Sequence, residues 1–227
     1  MQHNWSQIQA IIFDMDGTLV DTEKLWHKSE KELLKHHGRQ HDPIIHAPFL
    51  GLASDELIAS VRHAYQLEHL NQDRLVDELH ERVKAYLRIE TSPCIGAEDL
   101  VAAIFEQKLS SAIASNSSID IIDATLANQR WLDPITMRCS VDHVAQGKPA
   151  PDLYQYAAQQ IAIAPENCIA IEDSLLGAMG AVAAGMICLT VPQGNFDLAK
   201  FQAVTPYVFD NLKDVHQFLI EKNVLSP

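Results

Sequence analysis

The sequence predicts an α/β protein in which a parallel sheet carries a helical insertion after its first strand. From residue 91 onward, short apolar runs alternate with helical patterns, which is typical of parallel strands covered by helices. One more apolar strand stands alone at residues 9–13, and the block that follows it shows only helical periodicity. We therefore expect residues 1–17 and 91–227 to form one split core domain and residues 18–90 to form a helical cap.

The inserted block has the pattern of a small helical bundle. The segment 23–37 is helical by pattern, and its apolar residues fall near one face together with Ser29. A second segment carries an unbroken i, i+4 apolar stripe at Leu75, Leu79, Val83 and Leu87. Such stripes indicate amphipathic helices that pack against one another.

The remaining elements follow the break "TSPCIG" at residues 91–96. Apolar and helical periodicity then alternate along the chain. The pattern predicts helices over 98–107, 119–129, 150–162, 174–185 and 212–222. It predicts strands over 110–115, 135–140, 167–173, 186–191 and 206–210.

The composition limits the possible partners. The chain of 227 residues has a formal net charge of −13, whereas nucleic acids and anionic membranes attract basic surfaces. We therefore expect no nucleic-acid and no membrane partner. The four cysteines form no CxxC pair, which favours free thiols in a reducing compartment. The polar N-terminus lacks the pattern of a signal peptide, so we expect a cytoplasmic protein, and nothing in the sequence requires more than a monomer.

Polar side chains stand where the predicted strands end. The first strand runs into Asp14 and Asp16, and the loop after the third strand contains Lys148. The second strand ends at Ser115 and Asn116, and the fourth ends at Glu172 and Asp173. Because ligands of open α/β sheets bind beyond the carboxyl ends of the strands, we expect these side chains to converge there.

The convergent set favours a metal-assisted reaction on a phosphate. Asp14 and Asp173, with a backbone carbonyl from the turn, supply the few hard oxygen ligands that Mg²⁺ prefers. The ion and Lys148 would attract a phosphate, to which Ser115 and backbone N–H groups can donate. A carboxylate beside that phosphate can act as a nucleophile and form an aspartyl phosphate.

Each residue taken alone has a simpler interpretation. Ser115 can be an ordinary residue at a strand end, and Lys148 a solvated lysine in a turn. Ser117-x-x-Asp120 has the pattern of a capping box for the next helix. The group His36, His37, His41 and His46 matches no known zinc-ligand spacing, so we expect no zinc site there.

Together the motifs resemble those of the haloacid dehalogenase superfamily. Four short stretches match in order: "DMDGT" at 14–18, Ser115, Lys148 in "GKPAPD", and "EDS" at 172–174. The resemblance implies a Rossmann-like core with the first strand in its centre and a helical cap inserted after the first motif. The closest likeness is to bacterial sugar-phosphate phosphatases that act on 2-deoxyglucose 6-phosphate and hexitol phosphates.

The resemblance also implies a role for each carboxylate. Asp14 would be the nucleophile and a magnesium ligand. Asp16 would act first as a general acid and then as a base, and its backbone carbonyl would bind the metal. Asp173 would be the other carboxylate that binds the metal. Glu172 would not bind the metal directly and would support the residues that do. Ser115 and Asn116 would hold the transferring phosphate, and Lys148 would neutralise Asp14 and the phosphoryl oxygens.

Three alternatives remain, two of them within the same fold. A dehalogenase uses a carboxylate nucleophile without a metal, and Asp16 and Asp173 argue against it. A β-phosphoglucomutase-like phosphotransferase carries an Arg soon after the cap glycine and a His where Trp26 stands here, and both departures favour hydrolysis. A receiver-like phosphate switch would need no large cap. The substrate, expected to be a small phosphorylated metabolite, would meet the cap at Glu23, Trp26, His27 and the turn at 51–55.

Overall fold

The core of the protein is a five-stranded sheet in which every neighbouring pair of strands is parallel. The computed structural model describes residues 3–46, 49, 51–194 and 196–227. The strands are β1 (Ala10–Phe13), β2 (Ser110–Ser115), β3 (Met137–Ser140), β4 (Cys168–Glu172) and β5 (Ile187–Thr190). Their order is β3-β2-β1-β4-β5, so the predicted α/β fold with a central first strand is confirmed.

The two faces of β1 pack in different ways. Ile11 and Phe13 are fully buried on one face, against α5 (Ala97–Glu106) and α10 (Leu212–Glu221). Ala10 and Ile12 point to the other face, against α7 (Asp152–Gln160) and α8 (Leu175–Ala183). The small side chains of this second face let α7 and α8 approach closely, which brings their N-terminal turns to the carboxyl edge of the sheet.

The remaining helices follow the chain order. Between β1 and α5 lie α1 (Glu23–His36), α2 (Pro43–His46), α3 (Ser54–Ala64) and α4 (Gln72–Leu87). After β2 comes α6 (Ile119–Leu126), and after β5 comes α9 (Leu198–Val204). No helix in the described ranges combines the length and the apolar character needed to cross a bilayer.

The segment 23–87 packs around an apolar cluster of its own, which Ile121 of α6 joins. The leucines and valines of the two predicted stripes are buried in this cluster, and so is Ser29. The two connections to the rest of the chain run side by side, since Val20 pairs with Pro93 and the Asp21 N–H donates to the Ser92 carbonyl at 2.9 Å. This packing is compatible with domain boundaries at 17/18 and 90/91, which stay a prediction.

The C-terminal region differs from the sequence prediction. The expected strand at 206–210 is reduced to a single bridge between Thr190 and Val208. Pro206 has no N–H to donate to a ladder, and Asn211 already caps α10 with its side chain. The helix α9 was not predicted, because its apolar pattern spans only seven residues.

The cysteines agree with the sequence prediction. All four thiols are free, and three of the cysteines are buried within strands of the sheet: Cys139 in β3, Cys168 in β4 and Cys188 in β5. Burial raises the pKa of the Cys168 thiol to about 12, so the side chain acts as a small apolar residue.

Candidate active site

The six predicted site residues meet at the carboxyl edge of the sheet. They line one cavity of about 520 Å³ that is bounded on its far side by α1 and by the turn at 51–55. The strand pairing explains this convergence, because β1 lies between β2 and β4 and all three end at the same level. The cavity-lining members of the predicted set are Asp14, Asp16, Ser115, Asn116, Lys148 and Asp173.

Asp14 is buried with one oxygen paired and the other not. Its Oδ1 accepts a hydrogen bond from Lys148 Nζ at 2.6 Å, while Oδ2 is buried without a hydrogen-bond partner among the described residues. Carboxylate oxygens of Asp14, Glu172 and Asp173 lie within 4.8 Å of one another. Burial raises the pKa of Asp14 to about 7, Lys148 opposes that shift, and the charges of Glu172 and Asp16 add to it.

The turn after β1 leaves room for the Asp173 carboxylate beside Gly17. Gly17 has a φ of +83°, and a Cβ at this position would overlap the Asp173 carboxylate. Only glycine fits, both for its backbone angle and for this close approach. Burial raises the pKa of Asp173 well above its ordinary value, and the neighbouring charges of Asp14 and Glu172 raise it further. A cation at this place would relieve the repulsion between the carboxylates.

Lys148 and Glu172 form a buried charged network with Tyr154. Lys148 Nζ donates to Glu172 Oε1 at 2.5 Å as well as to Asp14. The Tyr154 hydroxyl donates to the same Glu172 oxygen at 2.6 Å, and the Ser174 N–H and hydroxyl donate to Oε2. Burial lowers the pKa of Lys148, but the two carboxylates raise it more, so the net shift is upward and the side chain stays charged.

The hydrogen bonds of Glu172 support the expectation that it is not a direct metal ligand. Both of its oxygens already accept hydrogen bonds, and its side chain is fully buried. A carboxylate engaged in this way orients Lys148 instead of offering a free oxygen to a metal. Tyr154, which was not predicted, lies on α7 and reaches the site only because that helix packs on the sheet.

Four donors surround the Asp16 carboxylate. Its Oδ1 accepts from Thr22 Oγ1 at 2.6 Å and from Trp26 Nε1 at 3.2 Å. Its Oδ2 accepts from Ser117 Oγ at 2.8 Å and from Ser115 Oγ at 3.3 Å. The side chain is therefore held between the first helix of the inserted segment and the loop after β2.

Ser117 corrects one sequence expectation. It does not form a capping box with Asp120, because Ser118 occupies the N-cap position of α6 and Ser117 donates to Asp16. The hydroxyl of Ser117 is thus a site residue that the sequence pattern assigned to a helix end.

The Asn116 side chain forms three hydrogen bonds with backbone groups. Its Nδ2 donates to the Gly51 carbonyl at 3.1 Å and to the Lys148 carbonyl at 3.3 Å, and its Oδ1 accepts from the Lys148 N–H at 2.8 Å. The amide therefore joins the lysine loop to the inserted segment. Its expected contact with a phosphate stays a prediction.

The inserted segment supplies the wall opposite the carboxylates. Glu23, Trp26 and His27 of α1 line the cavity, as do Gly51 and Ser54 from the predicted turn. Trp26 also contacts His80 edge to face, and His80 is hydrogen-bonded to Ser54 at 2.8 Å. These contacts give the wall a fixed polar surface above the site.

The comparisons with known proteins decide the family. The model of the haloacid dehalogenase-like hydrolases matches residues 11–191, a range that contains all of the residues described above. The chain belongs to the haloacid dehalogenase-like hydrolase family. It is similar to fructose-1-phosphate phosphatase YqaB of Escherichia coli K12, with 30% identity over 82% of this chain and 98% of the relative. It is also similar to hexitol phosphatase B of the same organism, with 30% identity over 82% of this chain and 84% of the relative.

A solved structure supports the same assignment. The chain resembles CbbY from Rhodobacter sphaeroides, solved in complex with phosphate, with 26% identity and a TM-score of 0.81. The similarity covers 92% of this chain and 96% of that chain. The resemblance inferred from the four sequence motifs is therefore confirmed, and this haloacid dehalogenase-like hydrolase has curated relatives that are named phosphatases.

Proposed function

We propose that the protein is a Mg²⁺-dependent phosphatase of small sugar phosphates or sugar-alcohol phosphates, and that Asp14 is its nucleophile. One observation carries the proposal: the buried Asp14 has one oxygen held by Lys148 and the other without a partner, at the edge of a cavity of about 520 Å³. A free carboxylate oxygen at the end of a cavity is placed to attack a bound phosphate.

The donor set fits a magnesium ion. Carboxylate oxygens of Asp14 and Asp173 lie within 4.8 Å of one another, and burial raises the pKa of both groups. A cation beside them would stabilise their charged forms. Two carboxylates and a backbone carbonyl of Asp16 are the kind of partial ligand set that Mg²⁺ takes while it keeps several waters. When bound, the ion neutralises the carboxylates and withdraws charge from the phosphoryl oxygens.

The first step transfers the phosphoryl group to Asp14. The free Asp14 oxygen forms a bond to phosphorus while the bond between phosphorus and the sugar oxygen breaks. The departing oxygen takes a proton from Asp16. The carboxylate that results accepts the hydrogen bonds of Thr22, Trp26 and Ser117, whose donors are already in place.

The second step returns Asp14 to its starting state. Asp16 removes a proton from a water molecule, whose oxygen bonds to phosphorus as the acyl-phosphate bond to Asp14 breaks. Inorganic phosphate then leaves. Lys148, held by Glu172, would balance negative charge on the phosphoryl oxygens in both steps, and the Ser115 hydroxyl would donate a hydrogen bond to one of them.

The substrate class rests on the wall of the cavity and on the relatives. Glu23, Trp26 and His27 offer a carboxylate, an indole and an imidazole to the leaving group, and these groups suit hydroxyl-rich molecules. Two relatives are named for fructose 1-phosphate and for hexitol phosphates. We expect the same chemical class here, with the individual sugar set by α1 and the turn at 51–55.

A screen of phosphorylated metabolites with phosphate release as its readout tests the proposal. We expect hydrolysis with Mg²⁺, no hydrolysis in excess chelator, and poor replacement by Ca²⁺, which takes more ligands in looser geometry. Asp14→Asn should lower turnover by several orders of magnitude and leave the circular dichroism spectrum unchanged. Full activity in chelator, or near-native turnover of Asp14→Asn, would contradict the proposal.

The phosphotransferase alternative predicts different products. A hydrolase releases free phosphate and free sugar in equal amounts from a hexose phosphate. A mutase instead converts one sugar phosphate into its isomer when a bisphosphate primer is added. Isomer formation without phosphate release would replace the hydrolase proposal. No contact in the described residues favours the mutase, since Trp26 stands where the mutase carries a histidine.

A further inference from the structure

A second group of metal-ligating side chains lies in the inserted segment, and Glu30 of this group also lines the cavity above the carboxylates of the sheet. Glu30 of α1, His41 and His46 place ligand atoms within 4.8 Å of one another. The rings of His41 and His46 have centroids 4.6 Å apart. His27, one helical turn before Glu30, has its Nδ1 3.8 Å from Glu30 Oε2. The sequence spacing of these histidines matched no known zinc pattern, but the fold brings them together with a carboxylate.

The group is buried and its polar atoms are unsatisfied. His46 is 1% exposed and Glu30 is 7% exposed. Glu30 Oε2, His41 Nε2 and both ring nitrogens of His46 are buried without a hydrogen-bond partner among the described residues. His46 Nε2 and Glu30 Oε2 are 2.8 Å apart, yet their angles do not meet hydrogen-bond geometry. Such a concentration of buried polar atoms without hydrogen bonds is unusual, because each unsatisfied group lowers the stability of the fold.

The surroundings keep the imidazoles suited to bind a metal. Burial lowers the pKa of His41, and the neighbouring His46 and His27 lower it further. The ring is therefore neutral near pH 7, and a neutral imidazole is the form that binds metals. Phe49 and Tyr65 stand beside His46, with ring centroids at 5.6 Å and 6.3 Å, and such an apolar shell restricts solvent access.

We propose that Glu30, His41 and His46 bind a first-row transition-metal ion, of which Zn²⁺ fits best. Imidazole nitrogens with one carboxylate oxygen are a common zinc donor set, with tetrahedral geometry and bonds of about 2.0–2.2 Å. Donor atoms around such an ion lie about 3.3 Å apart, so side chains whose ligand atoms are within 4.8 Å need only small rotations. The ion would join α1 to the segment 41–46, which no described strand holds in place.

A neighbouring group in the same segment shows the contrast. His36, His37 and Glu78 also lie close together, but His36 is exposed and His37 Nε2 already forms a hydrogen bond with Glu78 Oε2 at 2.9 Å. This contact is an ordinary hydrogen bond between two partly exposed side chains. Substitution of His36 and His37 is therefore a matched control, because it removes two histidines of the same segment and leaves the proposed ligands in place.

Zinc titration calorimetry in excess Mg²⁺ tests the proposal, on the full chain and on an Asp173→Asn variant that lacks one carboxylate of the sheet site. We expect one equivalent of Zn²⁺ to bind in both proteins. Glu30→Gln combined with His41→Gln should weaken that binding by about 100-fold or more. The loss of a hydrogen-bond partner outside the direct ligands already lowers metal affinity by about 10–100-fold. His36→Gln combined with His37→Gln should leave it unchanged.

Two further measurements keep the result independent of folding and of catalysis. Circular dichroism and thermal unfolding in chelator verify that each variant folds. His41→Gln alone, at a partly exposed position, serves if the double variant does not fold. Zn²⁺ should raise the unfolding temperature of the Asp173→Asn variant but not that of His41→Gln. Zinc binding that Asp173→Asn abolishes, or that His41→Gln leaves intact, would overturn the proposal whatever the phosphatase assays show.

Discussion

Gly177→Ala offers a prediction in which the structure reverses the usual expectation. Alanine favours a helix by up to about 1 kcal/mol over glycine, so the sequence alone predicts a more stable α8. In the structure, a Cβ at Gly177 would overlap all three atoms of the Glu172 carboxylate. That carboxylate cannot move freely, because Lys148, Tyr154 and Ser174 all donate to it.

The magnitude follows from these contacts. Overpacking a close-packed interior costs about 1–3 kcal/mol. Displacing Glu172 also costs a hydrogen bond to a charged group, worth about 1.5–3 kcal/mol. After subtraction of the helix-propensity gain of about 1 kcal/mol, we expect Gly177→Ala to lower the free energy of unfolding by about 1.5–5 kcal/mol. Turnover should fall as well, because Lys148 loses the partner that orients it toward Asp14.

Urea unfolding of the variant and of a control in the same helix measures the effect. Gly180→Ala places its Cβ 3.1 Å from the Ala150 carbonyl oxygen, a tight contact that small shifts relieve, so we expect a change within about 1 kcal/mol. Glu172→Asp shortens the carboxylate, and added to Gly177→Ala it should recover part of the loss as a favourable coupling. A Gly177→Ala protein as stable as the parent would refute the placement of Glu172 against α8.

Three more predictions follow from the polar network. In excess chelator, the free energy of unfolding should decrease as the pH rises from about 4 to about 7, because Asp14, whose native pKa is about 7, keeps a proton that the unfolded chain has lost. Urea unfolding at several pH values measures this dependence, and Asp14→Asn should make it less steep. An equally steep dependence in Asp14→Asn would contradict the prediction. Tyr154→Phe removes the hydroxyl that donates to Glu172 and should cost about 1.5–3 kcal/mol in urea unfolding. Tyr156→Phe on the same helix is its control and should change stability by less than about 0.5 kcal/mol. Trp26→Phe removes the indole N–H that donates to Asp16 and should lower kcat about 10-fold or more with an unchanged dichroism spectrum; an unaltered kcat would show that Trp26 only fills space.

The sequence by itself determined the sheet and the edge where the site lies. Short runs such as "SSAIAS" at Ser110–Ser115, bounded by helical patterns, are typical of buried strands in a parallel sheet, so their pattern predicts both their type and their place. Carboxylates directly after such runs, at Asp14 and Asp173, must emerge at the carboxyl edge of a parallel sheet. Their location therefore followed from periodicity, and the order of four motifs was sufficient for the family.

Only the tertiary structure decided which distant side chains complete the site. Tyr154 and Glu172 are 18 residues apart, and Ser117 and Asp16 are 101 residues apart. No local pattern reports such pairs, because they depend on how helices pack on the sheet and how loops meet at its edge. Ser117 even carried a misleading local signal, since a serine before a helix normally caps it.

Helix and loop packing also explains why the roles of Gly177 and of the histidines near α1 are visible in the structure and not in the sequence. A glycine in a helical pattern is locally unfavourable, and its need appears only when the buried Glu172 carboxylate is seen against it. His41 and His46 have no recognisable spacing to Glu30 along the chain. They come together because the segment after α1 folds back onto that helix, which is a property of packing and not of sequence period.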